Sequence, residues 1–364
     1  MGTITLADSP MDYETLYKSY DEFLAPRFKI TCGGQTFDTD TLPIQHLSVY
    51  TTTEPMADSA SFSIEEGFDS QQTEFTYESS FELAQTIEID MGYGNQLKTV
   101  FIGYIVSVTY EFPSDSEPLM TVRCMDMTFL MMKTYSEKVW QKKKHSEVVQ
   151  DVASSYSSQL FIDTTDTIIE NIYQNKQADY LFLRELAQRS NRQLLIAGKS
   201  IYFRKVVERK TPFITLTWGQ GLLSLRLEMN IASQLSGINV RSWDQLNREL
   251  IASSSYTIVK IGSGTQTGSQ IVAALGTYEE YVDMDGESQT DVQSVADGIM
   301  QSRSMELLHG YGECIGIPDL RAGLYIAFEG VGKRAGSVTY LSEVNHTIDD
   351  NGYIIQFETK GNAI

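Results

Sequence analysis

The stretch RAGLYIAFEGVGKRAGSVTYLSEV, residues 321–344, reads as two strands around a Gly-rich turn. An earlier stretch, LAQTIEIDMGYGNQLKTVFIGYIV at 83–106, reads the same way. Slid by 239 positions without a gap, Ala84 falls on Gly323, Ile87 on Ile326, Ile89 on Phe328, Phe101 on Tyr340, Ile102 on Leu341 and Ile105 on Val344. Each copy is followed by a polar turn (PSDSEP at 113–118, DDNG at 349–352) and a further β-rich run (LMTVRC at 119–124, YIIQF at 353–357). The pattern predicts one β-module written twice in a single chain.

Composition bounds what such a chain does. With 364 residues and 41% apolar content it buries a sizeable core and has room for two or three domains. Lys+Arg 28 against Asp+Glu 48 leaves a formal charge of −20, which argues against specific nucleic-acid binding, because neutralising phosphates requires clustered cations. Cys32, Cys124 and Cys314 lie far apart without a CxxC pair, so they read as buried, reduced strand residues rather than a disulfide framework or a zinc site. The first residues, MGTITLADSPMDYETLYKSYDEF, lack a basic n-region and an apolar h-region, and no later run reaches the ~20 apolar residues of a membrane span. Synthesis in the bacterial cytoplasm without a signal peptide, and no membrane insertion of this chain, are the expectations.

Periodicity divides the chain. Residues 1–26 read as an N-terminal arm containing one acidic amphipathic helix (Tyr13, Leu16, Tyr17, Tyr20, Leu24), which either docks on a neighbouring subunit or folds back on its own domain. Residues 27–135 are dominated by period-two runs with Gly, Asp and Pro punctuation, enough for a small antiparallel barrel or sandwich, the first of the two β-regions. Residues 136–205 carry apolar residues at helical intervals (Val148, Val149, Val152; Leu181, Leu183, Leu186) before two short strands, a small α/β insert. Residues 206–364 return to β-runs, including YTIVKIGSG at 256–264, with long loops and one helix near 291–308, as a second barrel. The predicted fold class is therefore mainly β with a small α/β insert and two similar antiparallel β-barrel, tube-like domains.

Several stretches resemble the phage late control D family and the hub portion of VgrG proteins. GYIVSVTYEF through PLMTVRCMDMTFLM (103–132) is similar to the end of that family's first barrel. NKQADYLFLRELAQRSNRQLLIAGKSIYFRK (175–205) resembles its insert, with Gln-x-Asp-Tyr-x-Phe-Leu, a Leu-Ala helix and a hairpin ending Tyr-Phe-Arg. GINVRSWDQLNRELI (237–251) resembles a strand-Trp-Asp element of its second barrel, and GIPDLRAGLYIAFEG through VTYLSEVNHTIDDNGYIIQFET (316–359) its C-terminal strands. The resemblance implies two barrels of similar fold in each subunit. It further implies a trimeric structural baseplate hub of a contractile phage tail, tailocin or contractile injection system. Three copies then present six quasi-equivalent units that join a hexameric inner tube ring to a trimeric spike, among other baseplate proteins, because closed symmetry lets each barrel reuse one contact surface. Since no spike neck follows the last barrel strand, the spike is expected on a separate polypeptide.

No motif in the sequence assembles a catalytic, cofactor or metal site. His46, His145, His309 and His346 are scattered, without HExxH or HxH; His346 is expected to make a structural hydrogen bond. GSGTQTGSQ (262–270) lacks the Lys-Ser/Thr of a phosphate loop, no GxSxG elbow occurs, and Asp283, Asp285 and Glu287 form only half of a calcium loop. Trp218 and Trp243 are expected in the core. The one charge anomaly is EKVWQKKKHSE, where Lys138, Trp140, Lys142, Lys143 and Lys144 interrupt an acidic chain; they are either a partner interface or a solvated linker face. Two other functions stay open, a particle-associated cell-wall hydrolase and a two-barrel carbohydrate- or receptor-binding tail module, the latter drawing on the 20 tyrosines.

Overall fold

A computed structural model describes residues 2–6, 9–65, 67–205, 211–244, 247–286 and 288–364. The arm folds back on its own chain. Its helix α1 (Tyr13–Ser19) starts where the Asp12 carboxylate accepts from the Thr15 N–H, satisfying one of the orphan donors of a helix start. Leu16 is buried in the barrel core, the Met11 N–H donates to the Phe213 carbonyl at 2.6 Å, and the Tyr20 hydroxyl donates to Asp319 at 2.7 Å.

The first barrel is built from β1 (Pro26–Cys32), β2 (Gln35–Asp38), β3 (Ile44–Thr52), β4 (Ser59–Ile64), the two-residue pair β5 (Phe68–Asp69) and β6 (Glu74–Phe75), β7 (Thr86–Tyr93), β8 (Gln96–Glu111) and β9 (Leu119–Met125). The strands run β2-β1-β7-β8-β9-β4-β3 and every neighbouring pair is antiparallel. Period two decides which face is buried: in β4, Ala60, Phe62 and Ile64 point into the core while Ser59, Ser61 and Ser63 do not.

The insert follows as α2 (Thr128–Lys133), β10 (Tyr135–Lys144), α3 (His145–Ala153), β11 (Gln159–Ile162), β12 (Ile168–Ala178), α4 (Asp179–Arg189), β13 (Arg192–Ala197) and β14 (Ser200–Lys205). It has its own core, with Val148, Val149, Leu183, Leu186, Ile201 and Phe203 almost fully buried. Met127 and Met131 join that core, so α2 packs with the insert rather than with the barrel that precedes it.

The remaining elements are β15 (Ile214–Trp218), β16 (Gly221–Met229), β17 (Gly237–Asp244), β18 (Glu249–Ser255), α5 (Gly268–Ala273), β19 (Glu279–Asp283), α6 (Gln289–Ser304), β20 (Leu308–Ile315), β21 (Tyr325–Glu329), β22 (Thr339–Asp349) and β23 (Gly352–Gly361). Six of these, in the order β22-β21-β15-β16-β20-β23, close into a barrel because β23 also pairs with β22. β22 then pairs antiparallel with β3, Val344 opposite Thr51 and His346 opposite Val49, so the two barrels share one continuous sheet and one apolar core. Strand accounts for 48% of the residues and helix for 17%, a mainly β protein.

The two barrels repeat five strands in the same spatial order, β7-β8-β9-β4-β3 and β21-β22-β23-β20-β16. Ala84 and Gly323 both hold positive φ, 67° and 95°, and both donate to the opposite strand, Ala84 to the Ile105 carbonyl and Gly323 to that of Leu341. The β8–β9 register slips between Ile105 and Ser107, and the β22–β23 register between Leu341 and Glu343. A second irregularity recurs at Ile44/His46 and at Leu222/Ser224. Ile105 therefore corresponds to Leu341, three residues away from the partner given by the gapless slide, because the second hairpin is that much shorter. Even the packing is reciprocal: Phe62 lies opposite Val122 in the first barrel, and Gly312 opposite Phe357 in the second. The large side chain has changed strands while the pair still fills the same place.

Three expectations fail for physical reasons. The second β-region is more than a barrel with long loops and one helix: β18-β17-β19 form a separate three-stranded sheet whose inner face packs Ile238, Val240 and Ile251 on Val292, Ala296 and Met300 of α6. The Trp-Asp strand at 237–244 thus lies outside the barrel. Residues 256–262 do not pair as a strand, because side-chain amides take the backbone groups: Gln301 accepts from the Val259 N–H at 2.8 Å, and Asn362 accepts from the Ile261 N–H at 2.8 Å.

A Cβ on Gly312 would lie 2.5 Å from the Phe357 ring. Gly312→Ala is therefore expected to destabilise by about 1–3 kcal/mol, and Gly312→Ala with Phe357→Leu to recover most of the loss. Denaturant titration of the two variants checks this; additive losses would contradict the reciprocal packing.

Candidate interaction surfaces

The arrangement of surfaces depends on a buried polar junction where both barrels and the insert meet. Asp58, at the start of β4, accepts from the Thr52 N–H at 2.9 Å and forms an ion pair with Arg321, which leads into β21. Asp126 stands beside it: its N–H donates to the Asp58 carbonyl, and its carboxyl meets the Thr128 N–H and hydroxyl, each at 3.1 Å. All three charged side chains are buried. Burial, against the pull of Arg321, pushes the Asp58 carboxyl up to about 6, and burial together with neighbouring Asp58 pushes Asp126 well above the usual range. One guanidinium cannot balance two carboxylates away from water, so Asp126 keeps its proton.

The lysine-rich stretch forms one strand of a two-stranded ribbon, β10 with β12. Trp140 turns inward, its ring stacked on Phe182 of α4 at 5.5 Å and its Nε1–H donating to Asp151 at 2.9 Å. Lys138, Lys142 and Lys143 are exposed; Lys143 reaches Glu147 at 3.7 Å, and the Lys144 N–H donates to Glu147 at the start of α3. The outer side of the ribbon carries the cross-strand pair Val139 and Tyr173, each more than half exposed. The five candidate residues thus share one ribbon, with Trp140 as its inner anchor, the Lys138 ammonium 6.0 Å from that ring, and Lys142 and Lys143 exposed.

A surface not anticipated from the sequence lies on the outer face of the β18-β17-β19 sheet. Trp243 and Leu250 face each other across β17 and β18, both 59% exposed, and Tyr281 on β19 is 62% exposed with the Arg241 guanidinium 5.1 Å above its ring. Trp243 is not core, and a signal for this exists in the sequence: it shares parity with Asn239 and Arg241, the polar side of its strand. Trp218 is not core either, because it stands at the end of β15 and is 55% exposed.

The outer wall of the closed barrel holds a shallow groove of about 610 Å³ whose lining includes Tyr50, Arg226, Glu313, Glu343, Gln356 and Glu358. Three carboxylates, Glu313, Glu343 and Glu358, face one guanidinium, Arg226, along this wall, and burial together with the neighbouring Glu343 raises the Glu358 carboxyl. His346 is buried and structural: Nε2–H donates to the Leu320 carbonyl and Nδ1 accepts from the Tyr353 hydroxyl, both at 2.8 Å. Cys32, Cys124 and Cys314 are buried free thiols, that of Cys32 pushed up to about 11 by burial. Among the described residues no group of three or more His, Cys, Asp or Glu is placed to hold a metal ion. Of the half calcium loop, Glu287 lies outside the described residues. No helix among the described residues is long and apolar enough to cross a membrane.

The fold, a doubled barrel interrupted by an α/β insert, is shared with several solved proteins. The 43 kDa tail protein of prophage MuSo2 from Shewanella oneidensis matches with a TM-score of 0.70 at 11% identity, over 92% of this chain and 98% of that one. A tail protein from Neisseria meningitidis MC58 matches with a TM-score of 0.69 at 11% identity, over 92% and 96%. An E. coli component of the type VI secretion system matches with a TM-score of 0.56 at 12% identity, over 92% and 77%. At such identities these likenesses establish the fold. No curated protein matches the chain by sequence. The chain belongs to the family described as the Alg8 N-terminal domain, whose model matches residues 24–350.

The junction carries a pH signature. Asp58 and Asp126 have folded pKa values above the unfolded value of about 4, so their contribution to stability is full below that pH and is lost as pH rises through 6 and beyond. His145 and His346, pushed down to about 4 mainly by burial, act oppositely, stabilising above about 6.5 and losing that contribution as pH falls toward 4. Asp126→Asn is expected to raise Tm relative to wild type more at pH 8 than at pH 5. Scanning calorimetry at the two pH values checks it; an equal shift at both would refute the shared-charge account.

Proposed function

We propose that the chain is a non-catalytic structural hub of the baseplate in a contractile phage tail, tailocin or contractile injection system. In this reading three copies join the hexameric inner tube to a trimeric spike. The observation that supports it most is the repeated five-strand module, with its paired register slips, fused edge to edge through β3 and β22. A subunit that carries one barrel twice offers two quasi-equivalent contact surfaces, so a threefold assembly presents six. The likeness in fold to two tail proteins and a type VI secretion component, each over 92% of this chain, supports the same reading.

The acidic groove suits such a part. An assembled wall bearing Glu313, Glu343 and Glu358 repels passing polyanions rather than retaining them. The role is mechanical: to template the tube, seat the spike and transmit load through a continuous sheet.

Co-expression with the tube and spike subunits tests the proposal. Light scattering is expected to give three copies of this chain per spike trimer, and electron microscopy to show a ring of six barrels against the tube. A chain that stays monomeric beside the spike protein, or one that releases peptidoglycan fragments, would overturn it.

A further inference from the structure

Two faces of the chain stay uncovered after it folds. The ribbon β10–β12 packs on α4 through Trp140 and Phe182, and α4 packs on α6, where a Cβ on Gly298 would lie 2.9 Å from the Gln188 carbonyl and the Arg189 guanidinium donates to the Asp285 carbonyl at 3.1 Å. α6 in turn carries the sheet β18-β17-β19. The outer side of the ribbon and the outer side of the sheet are thus separated by two helices, and neither can cover the other within one molecule.

Their chemistry is complementary. The ribbon centres on the cross-strand pair Val139 and Tyr173; Lys138 lies on the Trp140 side, 6.0 Å from that ring, and the two strands together carry five lysines (Lys138, Lys142, Lys143, Lys144, Lys176) against Glu137 and Glu170. The sheet centres on the cross-strand pair Trp243 and Leu250, with Arg241, Glu279 and Asp283 on the same side, and its three strands together carry five carboxylates (Asp244, Glu249, Glu279, Glu280, Asp283) against Arg241. Each has an apolar centre among charged residues, the layout of a protein interface, and the two carry net charge of opposite sign. Two copies of a chain with formal charge −20 repel unless cations gather where they touch, and the ribbon holds four of the 28 basic residues within seven positions.

We propose that the β10–β12 ribbon of one subunit docks on the β18-β17-β19 face of the next copy of this chain. The contact is heterologous, different patches meeting head to tail, so it forms a ring when the rotation closes. It rests on the hub reading only for the number of copies in that ring. Within the ring, the inserts form an outer belt that fixes neighbouring subunits while the barrels stay free for tube and spike.

Two experiments test the pairing. Since the native thiols are buried, Val139→Cys and Trp243→Cys each place one exposed thiol on one face. A short thiol-reactive cross-linker is expected to join the two variants when mixed and to leave each alone unlinked; linkage of either alone, or none in the mixture, overturns the proposal. In sedimentation equilibrium, Lys142→Glu with Lys143→Glu, and separately Glu279→Lys with Asp283→Lys, are each expected to weaken self-association about tenfold or more, and the combination of all four to restore it. Failure of rescue, or wild type monomeric at every concentration, overturns it. Co-assembly with the spike is scored separately, so a hub without this contact is told apart from a chain that is no hub. Binding of a tube subunit or an oligosaccharide to the Trp243 face without cross-linking would assign that face elsewhere and also overturn the pairing.

Discussion

The whole architecture hangs on the seam between β3 and β22. Without that antiparallel pairing the first seven-stranded run would end on an open β3 edge and residues 343–348 of β22 would lack a partner on that side; with it, one sheet runs through both barrels and a single apolar core fills them. The seam is locked at one end by Asp58 and Arg321, a buried pair that joins the two halves across 263 residues of chain. Removing one partner of such a pair by mutation leaves an uncompensated charge away from water, so the two halves constrain each other's sequence at this point.

The inserts sit where the repeated module tolerates them. The first follows β9 and the second interrupts the connection from β16 to β20, so neither breaks a ladder of the repeated strands. Both carry a helix that faces the other, α4 and α6, and both turn an apolar cross-strand pair outward. A structural repeat supplies the frame, and what is added to it supplies surface.

Much of the frame was legible in the sequence because burial imposes period two, as in SASFSI and YIIQF, and because the left-handed position beginning each hairpin requires a residue such as Gly323. The correct register was not legible: the three-residue shift arises from hairpin length, to which the apolar pattern is insensitive. The separate sheet of 237–283 was missed since its strands alternate as barrel strands do, and alternation does not say which sheet a strand joins. The run at 256–262 failed because Gln301 and Asn362, distant in sequence, take the hydrogen bonds a neighbouring strand would have taken. On the surface, charge revealed the lysine ribbon, whereas the Trp243 face was hidden by the habit of assigning tryptophan to the core.

The arm adds an ordering in time. Within its first twenty residues it bonds the first barrel through Gly2 and Glu88, the insert through Leu6 and Tyr202, and the second barrel through Met11 and Phe213 and through Tyr20 and Asp319. The arm therefore waits for docking sites that lie hundreds of residues further along the chain, and such distant closures form slowly. Its seating needs the first barrel, the insert and the second barrel together, so a partly folded chain carries the arm's aromatic residues loose.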